Sequence, residues 1–128
     1  MTDYPFHKHN SKHITKIGTA GGWVKASSGY SFKSTERKVS KLLANIKSGK
    51  MPAQGLFSKK FQRYDAIFLD VLEKRNDLGE SLFTKFYTKN SIQHIFKFLD
   101  EETTFSEEIK IMQSMFHPQF LKSFFNKL

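Results

Sequence analysis

Ile17-Gly18-Thr19-Ala20-Gly21-Gly22-Trp23-Val24-Lys25-Ala26-Ser27-Ser28-Gly29-Tyr30-Ser31-Phe32 is the stretch on which the fold turns. A short β-branched run ends in three closely spaced glycines. A Ser-Ser-Gly-Tyr turn follows, and then a helix begins. Glycine lets a backbone approach a ligand closely, and helix N-termini attract phosphate-like charge. The segment is therefore a candidate cofactor or substrate loop. Upstream of it, His13 to Gly18 reads as a short strand anchored by Ile14 and Ile17.

Downstream the pattern is helical. Phe32 to Ser48 carries Val39, Leu42, Leu43 and Ile46 at the spacing of one buried helix face, with Gly49 placed as a C-terminal cap. Gly49, Pro52 and Gly55 mark a linker over residues 48–56. A second helix is predicted from Phe57 to Asn76, where Phe57, Phe61, Tyr64, Phe68, Val71 and Leu72 keep the 3–4 spacing. Asp77-Leu78-Gly79 breaks it, and Glu80 to Tyr87 resumes with Leu82, Phe83, Phe86 and Tyr87. Ser91 suits the N-cap of Ile92 to Leu99, which places Ile92, Ile95, Phe96 and Leu99 on one side. Thr104 and Glu107 form a capping-box pair for a helix with Ile109, Met112, Met115 and Phe116 inward. Pro118 opens a last helix bearing Leu121, Phe124, Phe125 and Leu128.

The expected fold is thus mainly α: a short N-terminal strand and glycine loop, then five or six amphipathic helices. A single strand cannot make a sheet. The pattern suggests a piece of something larger, with the strand, glycine loop and first helix over residues 1–50 and a C-terminal helical region over residues 51–128.

The 128 residues contain no cysteine, which excludes disulfides, thiolate metal sites and cysteine nucleophiles and fits a reducing compartment. No signal peptide and no membrane-spanning apolar run stands out. Charge is uneven. Residues 1–60 hold 12 Lys/Arg against 2 Asp/Glu, while residues 61–128 hold 9 against 10. The first half is suited to an anionic surface. Lys33, Arg37, Lys38, Lys41 and Lys47 supply charge for nucleic-acid phosphates, but no helix-turn-helix or stacking motif accompanies them. Nucleic acid is therefore the less favoured partner, and a membrane surface that also uses Trp23 and exposed Phe is better supported. His7, His9 and His13 lack the carboxylate or thiolate companions of a metal site, so no metal is assigned.

At Gly18 to Gly22, continued by Ser27-Ser28-Gly29-Tyr30, the chain resembles the C-terminal part of bacterial flavin-dependent lycopene cyclases. Tyr64-Asp65-Ala66-Ile67-Phe68-Leu69-Asp70-Val71-Leu72 and Ile95-Phe96-Lys97-Phe98-Leu99-Asp100-Glu101-Glu102-Thr103 carry the same resemblance, as does the lead-in Tyr4-Pro5-Phe6. The resemblance implies a part of a larger FAD-binding α/β fold in carotenoid biosynthesis. The implied reaction is a redox-neutral cyclisation of lycopene end groups that needs reduced FAD. It further implies Gly18, Thr19, Ala20, Gly21 and Gly22 as backbone flavin contacts. Lys25, Ser27, Ser28, Gly29 and Tyr30 would lie near the flavin ring or the hydrocarbon tunnel.

The implied partners are the N-terminal FAD-binding half of the same enzyme, a lycopene-type carotenoid and a peripheral membrane surface, in the cytoplasm. Thr19 stands where many FAD folds have Asp, and Ala26 where the family often has Pro. No G-x-G-x-x-G fingerprint and no upstream acidic motif is present, so the chain alone is expected to be inactive and to bind FAD weakly or not at all. No catalytic residue is assigned. Glu101 and Glu102 suit a helix N-terminus electrostatically and are not taken as the catalytic acid. The alternative reading is a stand-alone basic helical module that binds an anionic membrane surface or nucleic acid.

Overall fold

In a computed structural model, residue 4 and residues 6–126 are described. Six α-helices account for most of them: α1 (Phe32–Lys47), α2 (Lys59–Lys74), α3 (Gly79–Lys89), α4 (Ile92–Leu99), α5 (Phe105–Ser114) and α6 (Pro118–Asn126). Short 3-10 turns occur at Phe6–His9, Thr19–Gly21 and Asn76–Leu78. The side chains of His7 and Phe124, and all of Pro5 and Leu128, lie outside the described residues.

Helix ends follow their local chemistry. Ser91 accepts from the His94 amide, and Thr104 and Glu107 complete a reciprocal capping box. At the end of α1, Gly49 adopts φ +67 while its amide donates to Ile46 O and the Lys50 amide donates to Asn45 O. These two bonds satisfy carbonyls that the helix leaves open, in the Schellman pattern.

No strand forms among the described residues. His13 to Gly18 is irregular, and Ile14 and Ile17 are 62 % and 60 % exposed. The expected strand has no partner, and side chains take its backbone donors instead. Asn10 Oδ1 accepts from the Lys16 amide, and Ser11 Oγ from those of His13 and Ile14. Local bonding of this kind competes with extended structure.

The core lies among α2 to α6. Phe86, Ile95, Leu99, Ile111 and Met115 are buried together, with Tyr30, Phe68 and Phe98 packed against them. Val71 and Leu82 are essentially inaccessible. Each such aliphatic side chain contributes about 2 kcal/mol by leaving water. Phe68 joins three helices: its ring lies 5.4 Å from Phe83 and 5.9 Å from Phe120. Trp23 is buried as well, at 3 % exposure, so it is unavailable to a membrane interface.

α1 is inverted relative to expectation. Val39, Leu43 and Ile46 are 41 %, 50 % and 52 % exposed, Phe32 is 84 % exposed, and Leu42 is half-buried. The side turned inward carries Ser34, Lys38 and Asn45. The reason is hydrogen-bond supply. Loop carbonyls around α1 need donors once buried. Lys38 Nζ donates to Trp23 O, and Asn45 Nδ2 donates to Pro52 O and Gln54 O at 3.0 and 2.8 Å. The apolar stripe is left facing outward.

Other expected inward residues are also exposed. Ile92 and Phe96 of α4, Ile109, Met112 and Phe116 on or just beyond α5, and Leu121 and Phe125 of α6 all retain 39 % exposure or more. Several of them border the site described next.

Candidate functional site

A cavity of about 440 Å³ opens between α2, α3, α5 and α6. Ile67, Phe68, Phe83, Phe86, Phe98 and Met115 supply buried or half-buried wall. Phe105, Ile109, Met112 and Phe116 follow one another at i, i+4, i+7 and i+11 and form an exposed apolar rim along α5. The volume falls in the range of clefts that hold small organic ligands, about 300–1,000 Å³. The open rim allows a longer chain to extend outward.

The polar part of the wall is small. It consists of Ser27 and Ser28 from the loop, Tyr64 and Asp65 from α2, and Gln113. The loop reaches this point through a tight turn. The Lys25 amide donates to Tyr30 O and the Gly29 amide to Lys25 O, both at 2.8 Å. Gly29 takes φ +72 to close the turn, a conformation that disfavours side-chain-bearing residues. Ser27 Oγ then donates to Asp65 Oδ1 at 2.5 Å.

Behind the serines sits a buried charge cluster. Lys25 is 6 % exposed, and its Nζ stands 3.3 Å from Asp65 Oδ1 and 3.8 Å from Glu101 Oε1. The ammonium also lies 5.3 and 5.5 Å from the ring centroids of Phe61 and Phe98. Its contacts are ion pairs and ring faces, with no aligned hydrogen bond. Burying an unpaired ammonium would be prohibitive. Two carboxylates and two aromatic faces offset that penalty. Glu101 reaches Lys25 from the left-handed region, at φ +61, where it occupies the position a glycine usually takes after a helix.

A fully buried carboxylate braces the wall. Glu108 is fully inaccessible and accepts from Lys60 Nζ at 2.6 Å, Tyr64 OH at 2.9 Å and Thr103 Oγ1 at 3.2 Å. Burial, and then the hydrogen bond to Glu108, push the Tyr64 phenol up to about 12. Tyr64 therefore stays neutral and fixed in place. Nearby, burial draws the Lys38 ammonium below its usual value, against the pull of Glu101.

The structure separates the residues that the sequence grouped. Ser27 and Ser28 line the cavity, Lys25 stands behind Asp65, and Tyr30 packs on the core. Burial, with a hydrogen bond to Asp100, raises the Tyr30 phenol above its ordinary value. Gly18 to Gly22 do not border the cavity. Glu102 pairs with Arg37 at 3.0 Å, outside the site. His9 bonds Tyr4 OH, and no group of metal-ligating side chains occurs among the described residues.

Sequence reasoning missed the roles of Asp65 and Glu108. Both stand inside apolar stripes: Asp65 between Phe61 and Phe68, and Glu108 in register with Ile111 and Met115. An acidic residue within such a stripe is the signal for a buried, partnered carboxylate.

A family model described as "Lycopene cyclase protein" matches residues 1–124. The chain belongs to the lycopene cyclase family. That membership ties it to carotenoid biosynthesis. No curated protein and no solved structure matches the chain.

For a lycopene cyclase family member the fit to FAD can be tested on the glycine turn. Gly21 has no room for a side chain, since an added Cβ would lie 2.2 Å from Lys16 O. The amides of Gly21, Gly22 and Trp23 are bonded to Ile17, Gly18 and Thr19 carbonyls within the turn. Gly18 has open space beside it, and Thr19 and Ala20 are exposed. The turn thus offers one open edge, Gly18 to Ala20, and no enclosure for a dinucleotide. The described helices include none long and apolar enough to cross a membrane.

Proposed function

We propose that this chain seats the acyclic end of a lycopene-type carotenoid in the α2–α3–α5–α6 cavity, for redox-neutral cyclisation by the complete enzyme. The observation that carries the reading is the cavity itself. It has aromatic and aliphatic walls, an open apolar rim, and one small polar region at Ser27, Ser28, Tyr64 and Asp65. An isoprenoid hydrocarbon has no hydrogen-bonding groups, so only apolar area can bind it. A polar region at one point of the wall is where proton chemistry on such a chain has to occur.

The chain works with an FAD-binding half of the same enzyme, which covers two surfaces. One is the open edge Gly18 to Ala20. The other is the outward stripe of α1, with Phe32, Val39, Leu43 and Ile46. Exposed apolar residues that share one helix face suit a contact with another surface. Reduced FAD supplies its chemistry from that half, and the chain by itself is inactive.

The test is expression in lycopene-accumulating cells, with pigments separated by chromatography. This chain joined to the FAD-binding half of a family member should give cyclic carotenoid, whereas the chain alone should leave lycopene unchanged. Unchanged lycopene from a folded, flavin-loaded fusion would contradict the proposal.

A second reading uses the same α1 stripe differently. Lys33, Lys41 and Lys47 lie exposed on α1 and suit an anionic lipid surface. Peripheral membrane association predicts that the chain sediments with phosphatidylglycerol vesicles and is released by salt.

A further inference from the structure

We infer that Phe68, Phe83 and Phe120 form the closed end of the cavity, a stop that sets how far an isoprenoid chain enters and which of its units lie beside the polar wall. This rests on the cavity being the seat of an isoprenoid end. The three rings come from α2, α3 and α6, and all of them line the cavity. Phe68 is the hub, with Phe83 at 5.4 Å in an edge contact and Phe120 at 5.9 Å. All three are half-buried, whereas Phe105, Met112 and Phe116 of the rim are 69 %, 40 % and 56 % exposed. The cavity is thus open along α5 and shut where the three rings meet.

Phe83 is a thin partition at this end. Tyr87, one helical turn further along α3, stacks against it at 6.5 Å with the planes 19° apart. Tyr87 does not line the cavity and is 54 % exposed. A single ring therefore separates the cavity from a surface side chain.

The stop also stands at a fixed distance from the polar wall. Asp65 and Phe68 are three residues apart on α2, a rise of about 4.5 Å along the helix axis. That is close to one repeat of an extended isoprenoid chain. A chain halted by the three rings presents its terminal units, rather than interior ones, to Ser27, Ser28 and Asp65. Hydrophobic attraction has no direction, so apolar walls alone would let a repetitive hydrocarbon slide. A steric stop supplies the register that attraction cannot. Interlocked rings suit this use, because close-packed side chains resist displacement.

The purified chain can be titrated with acyclic isoprenoid hydrocarbons of ten to thirty carbons, in steps of one isoprene unit, delivered from cyclodextrin. Affinity should rise with each unit that enters and level off at the length that fills the cavity. Phe83→Ala should move that limit to the next longer member and strengthen its binding about tenfold relative to the unmodified chain. Phe105→Ala, on the open rim, should leave the limiting length unchanged. Should Phe83→Ala fail to fold, Phe83→Leu and Phe120→Leu each trim the stop and ask the same question. A limiting length that stays the same in the folded variants would overturn the inference. So would an affinity that climbs through the longest member in the unmodified chain. In both cases the seat itself stands. If no member binds, the reading of the cavity as an isoprenoid seat fails, and the stop with it.

Discussion

Ser27 and Asp65 stand 38 residues apart in the chain and meet in a 2.5 Å hydrogen bond on the cavity wall. The contact pins the N-terminal loop to α2. It also shows what the loop's tight turn is for, since Gly29 and the two 2.8 Å backbone bonds place Ser27 within reach.

Lys25 holds that arrangement together. Removing it leaves Asp65 and Glu101 facing each other across an apolar region. Lys25→Ala should therefore destabilise the chain by about 3 kcal/mol, the scale for breaking a buried ion pair by deleting one partner. Urea unfolding measures this. A loss below about 1 kcal/mol, the scale of an exposed pair, would show that the cluster is solvated.

Tyr64 predicts the alkaline limb of stability. Its phenol lies at about 12 in the folded chain against an ordinary 10.0. Between those values the folded state keeps a proton that the unfolded state has released. The contribution is fully present below pH 10 and is lost as pH rises through about 12. Thermal melts from pH 9 to pH 12 should fall more steeply for the unmodified chain than for Tyr64→Phe, which has no proton to lose. Parallel curves would contradict the assignment.

Glu107 predicts the acid limb. The Lys97 ammonium, then the amide and hydroxyl of Thr104, hold its carboxyl at about 2 against an ordinary 4.5. Its contribution is present above pH 4.5 and is lost as pH falls through about 2. Glu107→Gln should lower the melting temperature at pH 6 and leave it nearly unchanged at pH 2. A constant difference across that range would mean that the charge is not involved.

The α1 stripe separates stability from assembly. Leu43 and Ile46 are half exposed, so Leu43→Ser/Ile46→Ser should cost little, about 0.5 kcal/mol per site. The same variant should abolish co-purification with the proposed FAD-binding half. Intact co-purification would show that the stripe is not covered by that partner.

Most of the helical frame was legible because its signals are local. Pro118 at the first turn of α6, the Thr104–Glu107 box and the Gly49 terminus each act within a few residues, and each stands where the pattern placed it. α1 could not be oriented in the same way. Its apolar periodicity is real, but the inward face was decided by carbonyls of Trp23, Pro52 and Gln54 that need Lys38 and Asn45. The strand at Ile14 and Ile17 failed for want of a pairing edge, which no local pattern reports. In the site, Ser27 and Ser28 were legible from the loop, whereas Asp65 and Glu108 acquire meaning only through Lys25, Lys60 and Tyr64, all distant in sequence or on another element.

The most direct test of the central claim is equilibrium loading of the purified chain with lycopene from mixed micelles, read by the pigment's absorption. The unmodified chain should take up lycopene to saturation. Met112→Trp, which fills the cavity from the α5 rim, should abolish uptake while preserving the fold. Equal uptake by the filled variant, or none by the unmodified chain, would contradict the assignment of this cavity to the carotenoid.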